Sequence, residues 1–191
     1  MKPSRQEILQ AAFKGDVALL RELAHRGADF NQSDPGEWTL LEEAVLNLCV
    51  DVEPFRYVVV RALLELGADP NMHDDEGGSP LTTPTIRMDT EMLQILLEAG
   101  ADPNKIGGFW EDESFYDWAE RDYGFDALPR ELPEEPTEDD MKDAESWLSF
   151  CDRLAIKHNY RRPDHLFLLR RYGAKSMAEI KGIEKGDDAD G

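Results

Sequence analysis

The chain has 191 residues and carries 41 Asp and Glu against 21 Lys and Arg, a formal net charge of −20 at pH 7. That field repels nucleic acid and anionic membranes, which excludes both as partners and favours a basic protein. Two cysteines are too few for a disulfide framework and predict a reduced, cytoplasmic setting.

Residues 5–26 place Ile8, Leu9 and Ala12, then Val17, Leu19, Leu20 and Leu23, on either side of Lys14-Gly15-Asp16. This predicts two helices joined by a tight turn. Residues 39–48 and 55–66 repeat the arrangement with a longer connection around Pro54. Tyr57 to Val60 is β-prone alone, but Leu63, Leu64 and Leu66 continue it at helical spacing, so a helix is expected. In the third unit Pro84 falls inside the first helix, which must be short or distorted. Residues 90–99 read as a clean helix, with Thr90 at or near its N-cap and Gly100 closing it.

Pro129, Pro133 and Pro136 predict an extended connection over 126–136. Thr137 is then expected to cap a helix over 138–158, with Pro163 as its break. The helix carries a stripe of Met141, Ala144, Trp147, Leu148, Cys151, Leu154 and Ala155. It should pack through Trp147, Leu148, Cys151 and Leu154. A last helix follows at Leu166 to Tyr172, and residues 181–191 read as a disordered acidic tail.

One phrase recurs four times. An apolar run ends in Gly-Ala and an Asp or Lys at Leu23 to Asp29, Leu63 to Asp69, Leu96 to Asp102 and Leu168 to Lys175. The glycine suits a left-handed helix stop. Asp29, Asp69 and Asp102, with Asn31, Asn71 and Asn104, suit the turn that follows. The glycines at 27, 67, 100 and 173 are separated by 40, 33 and 73 residues. The 33-residue step is a repeat period; the others are one repeat with an insertion.

Counting back from these glycines finds Gln6 to Ala12, Thr39-Leu40-Leu41, Ser79-Pro80-Leu81 and Ser114 to Ala119 as unit openings. With the Gly-Ala-Asp-x-Asn phrase, these resemble the ankyrin-repeat family over roughly residues 5–125 and 163–176. The resemblance implies a mostly α ankyrin-repeat solenoid of about four helix-turn-helix units, with short β-hairpins and an inserted helix in the last unit. The expected units are 5–36, 37–76, 77–110 and 111–176, with the insertion at about 126–162. They form a single domain over 1–180.

Nothing in the chain has the spacing of a catalytic, cofactor or metal site. His25, His73, His158 and His165 lack a second ligand at a metal spacing. Ser33, Ser79 and Ser114 have no nucleophile elbow. The glycine pairs at 77–78 and 107–108 lack the Lys-Ser/Thr of a phosphate loop. A non-enzyme without cofactor or metal is expected.

The ankyrin resemblance implies binding through the tips between units and the inner helix face. The tips carry Trp38 with Asp34 and Glu37; Met72 with Asp74, Asp75 and Glu76; and Phe109 and Trp110 with Glu111, Asp112 and Glu113. Large apolar side chains with a charged rim are the composition of binding hot spots. Acidity also concentrates locally: residues 111–145 hold 15 acids against three Lys or Arg. The expected function is non-enzymatic protein binding by a chain that is monomeric alone. Compact bacterial ankyrin proteins include immunity proteins that neutralise toxins, so an acidic inhibitor of a basic toxin is the specific expectation. A cytosolic scaffold or adaptor is the alternative. An enzyme with a carboxylate or metal site is the alternative of another class.

Overall fold

The computed structural model describes residues 2–32, 37–50, 53–73, 78–104 and 113–182. The described residues form ten helices and no strand. The tips of the expected hairpins, at 33–36, 74–77 and 105–112, lie outside the described residues. The chain divides into two compact units, Met1–Gly107 and Gly108–Gly191.

The first unit holds three helix pairs: α1 (Arg5–Phe13) with α2 (Val17–His25), α3 (Leu40–Val50) with α4 (Arg56–Glu65), and α5 (Thr82–Ile86) with α6 (Thr90–Glu98). Helices α1, α3 and α5 pack side by side in one layer, and α2, α4 and α6 in the other. The core between them is apolar, with Ile8, Leu20, Leu40, Val45, Val59, Leu63, Leu93 and Leu96 fully buried. Burying such side chains supplies roughly 1.5–3 kcal/mol each, and no single pair could cover its own face.

The turns within the first and third pairs follow the same pattern. Gly15 and Met88 both adopt positive φ, +69° and +51°. Asp16 donates its backbone N–H to Ala11 O at 2.9 Å, and Asp89 to Pro84 O at 2.8 Å. Each aspartate then caps the next helix, accepting from Leu19 N and Met92 N. The cap of α6 is therefore Asp89, one residue before Thr90. Helix α5 has only five residues, as Pro84 requires. Asp89 also binds Arg56 Nε at 3.3 Å and accepts from the Tyr57 hydroxyl at 2.9 Å, tying α4 to the next pair.

The second helix of each pair ends identically. Ala28, Ala68 and Ala101 donate back to Leu23, Leu63 and Leu96, each at 3.0 Å, past glycines of positive φ. This is the Schellman cap. Beyond it, Asn31 N–H bonds the Asp29 carboxylate, and Asn71 and Asn104 do the same to Asp69 and Asp102. The side chains of Asn31 and Asn71 then reach the following repeat: Asn31 Nδ2 donates to Gly67 O and Asn71 Nδ2 to Gly100 O, both at 2.9 Å.

The second unit contains α7 (Phe115–Ala127), α8 (Ala144–His158), α9 (Asp164–Arg171) and α10 (Met177–Lys181). Helix α7 packs on α9. Gly173 at φ +84°, with Ala174 N–H bonded to Leu169 O, repeats the Schellman cap a fourth time.

Three expectations for this unit are corrected. Helix α8 begins at Ala144 rather than 138, because Thr137 and Asp140 close a separate turn and Asp143 is the true cap. It ends at His158, as expected, but the stop is Asn159, a C-cap at φ +57°, and not Pro163. Lys181, expected in a disordered tail, ends α10, whose start is sealed by a Ser176–Glu179 capping box; residues 183–191 lie outside the described residues. Leu148, Cys151 and Leu154 are buried within the unit, as is Phe150, whereas Trp147 is half-buried and Met141 is exposed.

Candidate functional site

The first unit positions Trp38 through Arg5. The Arg5 guanidinium donates to Trp38 O at 2.8 Å and pairs with Glu43 at 2.6 Å and Glu37 at 3.5 Å. Its side chain is 14% exposed, so α1 holds the start of α3 through a largely buried cation. The Trp38 side chain itself stays 46% exposed. Thr39 behind it is buried, and its Oγ1 accepts from the Glu42 N–H at 3.2 Å in the capping pattern.

Aligning the helices of one layer shows a second feature. Ile8, Leu41 and Leu81 correspond and are buried. Ala11-Ala12, Ala44-Val45 and Pro84-Thr85 follow at the next inward positions, also buried. The residue after each pair is apolar too: Phe13, Leu46 and Ile86. Phe13 is 36% and Ile86 43% exposed, with Leu46 half-buried between them. Because α1, α3 and α5 are neighbours, corresponding positions line up into one apolar row. Polar residues flank the row: Gln10, Glu43 and Thr83 on one side in sequence, Lys14, Asn47 and Arg87 on the other.

Of the expected partner-binding residues, Glu37, Trp38 and Met72 are described in the first unit and Glu113 in the second. Asp34, Asp74, Asp75, Glu76, Phe109, Trp110, Glu111 and Asp112 lie outside the described residues. Met72 is half-buried after the Asp69 turn. Glu113 is held in an ion pair with Arg121. Sequence reasoning missed Phe13, Leu46 and Ile86. Their signal was an apolar residue directly after the small inner pair, visible once the unit openings are aligned.

The second unit pairs some of its own charges. Lys157 pairs with Glu134 at 2.8 Å, Arg162 with Asp152 at 2.7 Å, and Arg170 with Glu179 at 2.6 Å. Glu179 is pulled down to about 2, chiefly by its hydrogen bond to Arg170. Exposed pairs of this kind contribute about 0–1 kcal/mol each and set local order more than stability. Among the described residues no group of three or more His, Cys, Asp and Glu is placed to hold a metal ion, and no helix is long and apolar enough to cross a membrane. Cys49 and Cys151 are buried free thiols pushed up to about 11 and about 12, first by burial.

Known proteins match about half of the chain. The family model for ankyrin repeats (3 copies) matches residues 8–106. The ankyrin repeat protein YahD of Escherichia coli (strain K12) is 39% identical over 93 residues, 48% of this chain and 45% of that one. Ankyrin repeat and SOCS box protein 6 of Pongo abelii and of Homo sapiens are each 34% identical over 98 residues, 48% of this chain and 22% of theirs. The chain thus spans less than half the length of these relatives. Ankyrin repeats are protein-interaction modules, and the match falls on the three helix pairs that carry Trp38 and the apolar row. On these matches and its repeated Schellman caps, the chain belongs to the ankyrin-repeat family.

Proposed function

We propose that this chain is a non-enzymatic protein-binding module that captures a basic protein, as an inhibitor that neutralises a toxin. The observation that carries the reading is the apolar row Phe13, Leu46 and Ile86, with the half-exposed Trp38 in the same unit, on a chain of net charge −20. Apolar anchors supply the short-range energy of an interface, and the surrounding acidity supplies selectivity and speed. The acidic tips add Asp34, Glu37, Met72, Asp74, Asp75, Glu76, Phe109, Trp110, Glu111, Asp112 and Glu113 to the proposed surface. Many nuclease toxins present basic active-site surfaces, and an acidic inhibitor covers them by imitating phosphate.

The test is affinity capture with the purified chain, followed by measurement of the complex with the recovered partner. An inhibitor gives one basic partner, bound one to one, whose activity is lost on binding. Several weaker partners of mixed charge would favour an adaptor. Bound metal or turnover by the chain alone would overturn the non-enzymatic reading.

A further inference from the structure

The second unit contains a cavity of about 180 Å³ between α7 and α8. Helix α7 contributes Asp117, Glu120, Tyr123 and Gly124, and α8 contributes Trp147 and Cys151 one turn apart. The volume corresponds to roughly six waters at about 30 Å³ each. It is smaller than the roughly 300–1,000 Å³ of small-molecule sites. A single side chain fits it.

The wall side chains are held by their own contacts. Trp147 is half-buried and stacked on Phe150, with ring centroids 5.4 Å apart. The Tyr123 hydroxyl donates to Arg161 O at 2.7 Å, and its ring lies 5.7 Å from that of His165. The Asp117 carboxylate accepts from the Ser114 N–H, the Ser114 hydroxyl and the Met177 N–H, at 3.1, 2.8 and 2.7 Å. All three bonds reach Oδ2, and Oδ1 takes none of them.

The cavity is also electronegative. After burial, the charge of Glu120 is the next cause that raises the Cys151 thiol, which lines the cavity. Arg121 lines the cavity but its guanidinium is drawn to Glu113. Gly124 leaves room, since a Cβ built there meets nothing within 4 Å.

We propose that this cavity receives one cationic side chain, a lysine or arginine, from a basic partner protein. The carboxylates take the charge and the aromatic walls of Trp147 and Tyr123 take the stem and a cation–π contact. The site shares with the preceding reading only the basic character of the partner. It sits in the other unit from Trp38 and the apolar row.

The test is an NMR titration of the full chain with N-acetyl-arginine amide, N-acetyl-lysine amide and neutral N-acetyl-norleucine amide. Saturable shifts at the Trp147 indole N–H and the Gly124 amide are expected with the charged probes, and at least about tenfold weaker binding of norleucine, equivalent to about 1.4 kcal/mol. Gly124→Met should fill the space and abolish these shifts while leaving the melting temperature unchanged or higher, since glycine is the poorer helix former. Glu120→Gln should weaken the charged probes and not the neutral one. No saturable shift, equal binding of norleucine, or undiminished binding to Gly124→Met would overturn the proposal. Each of those results leaves the first-unit surface untouched, because the probes do not depend on it.

Discussion

Asn71 Oδ1 accepts a 2.8 Å hydrogen bond from the backbone N–H of Asp102, 31 residues away, while its Nδ2 donates to Gly100 O at 2.9 Å. One amide thus closes both sides of a repeat boundary, and Asn31 does the same with Asp69 and Gly67. Replacing Asn71 with Ala removes two bonds worth about 0.5–1.5 kcal/mol each. Chemical denaturation should show a loss of about 1–3 kcal/mol. An unchanged midpoint would mean that water replaces the amide without loss.

Gly15 and Gly67 test space against conformation. Both have positive φ, +69° and +101°. A Cβ at Gly67 meets nothing within 4 Å, whereas one at Gly15 would lie 2.9 Å from the Phe55 ring. Gly67→Ala should therefore cost only the left-handed backbone penalty, about 1–2 kcal/mol. Gly15→Ala should cost more, and Gly15→Ala combined with Phe55→Ala should be non-additive. Equal losses for the two single variants would remove Phe55 from the account.

His165 makes the second unit acid-sensitive. It occupies the position of Leu19, Val59 and Met92 in the other repeats, eight residues before the capping glycine, and is 1% exposed. Its Nδ1 is buried without a hydrogen-bond partner. Burial first, then Arg161, pulls it from 6.5 down to about 4. The folded state thus prefers the neutral ring. Its contribution is complete above pH 6.5 and is lost as pH falls from there toward 4. At about 1.4 kcal/mol per pH unit, up to about 3 kcal/mol is at stake. His165→Met should flatten that part of the stability profile. A wild-type profile flat between pH 6.5 and 4 would contradict the assignment.

The repeat glycines and the Asp and Asn turns were legible because each has one mechanical use, a left-handed stop or a side-chain-closed turn. The short α5 was legible because Pro84 admits no alternative. The start of α8 was not, since Thr137-x-x-Asp140 and Asp143-x-x-Ser146 are equivalent capping signals. Only the second opens a helix: Asp143 is extended, at φ −151° and ψ 173°, and interrupts propagation from the first. Helix α10 was hidden because it is only five residues long with no buried side chain; Ser176 and Glu179 cap its start, and Arg170, nine residues before Glu179, adds an ion pair that the local sequence does not show. Trp38 stood out in sequence, and it is 46% exposed. The row of Phe13, Leu46 and Ile86 was passed over although the aligned unit openings show it, because each looks like one more core residue; the layering of α1, α3 and α5 is what leaves Phe13 and Ile86 exposed.

Steering and anchoring should separate kinetically. Exposed charges are screened beyond about 8 Å at physiological ionic strength. If the acidic tips capture a basic partner, raising salt slows association more than it speeds dissociation. Charge reversal of Glu111, Asp112 and Glu113 to Lys should cut the on-rate by about tenfold or more. Trp38→Ala should act mainly on the off-rate and cost about 2 kcal/mol or more of binding. An on-rate indifferent to salt and charge reversal would leave the acidity with a role in solubility alone.

The most direct measurement is a paired capture with the wild-type chain and a Phe13→Ser, Trp38→Ala, Ile86→Ser variant. The three side chains are 36–46% exposed, so the variant should keep its fold, as a thermal melt checks. The account predicts a basic protein held one to one by the wild type and lost by the variant. A partner held equally by both, or one that is acidic, would contradict it.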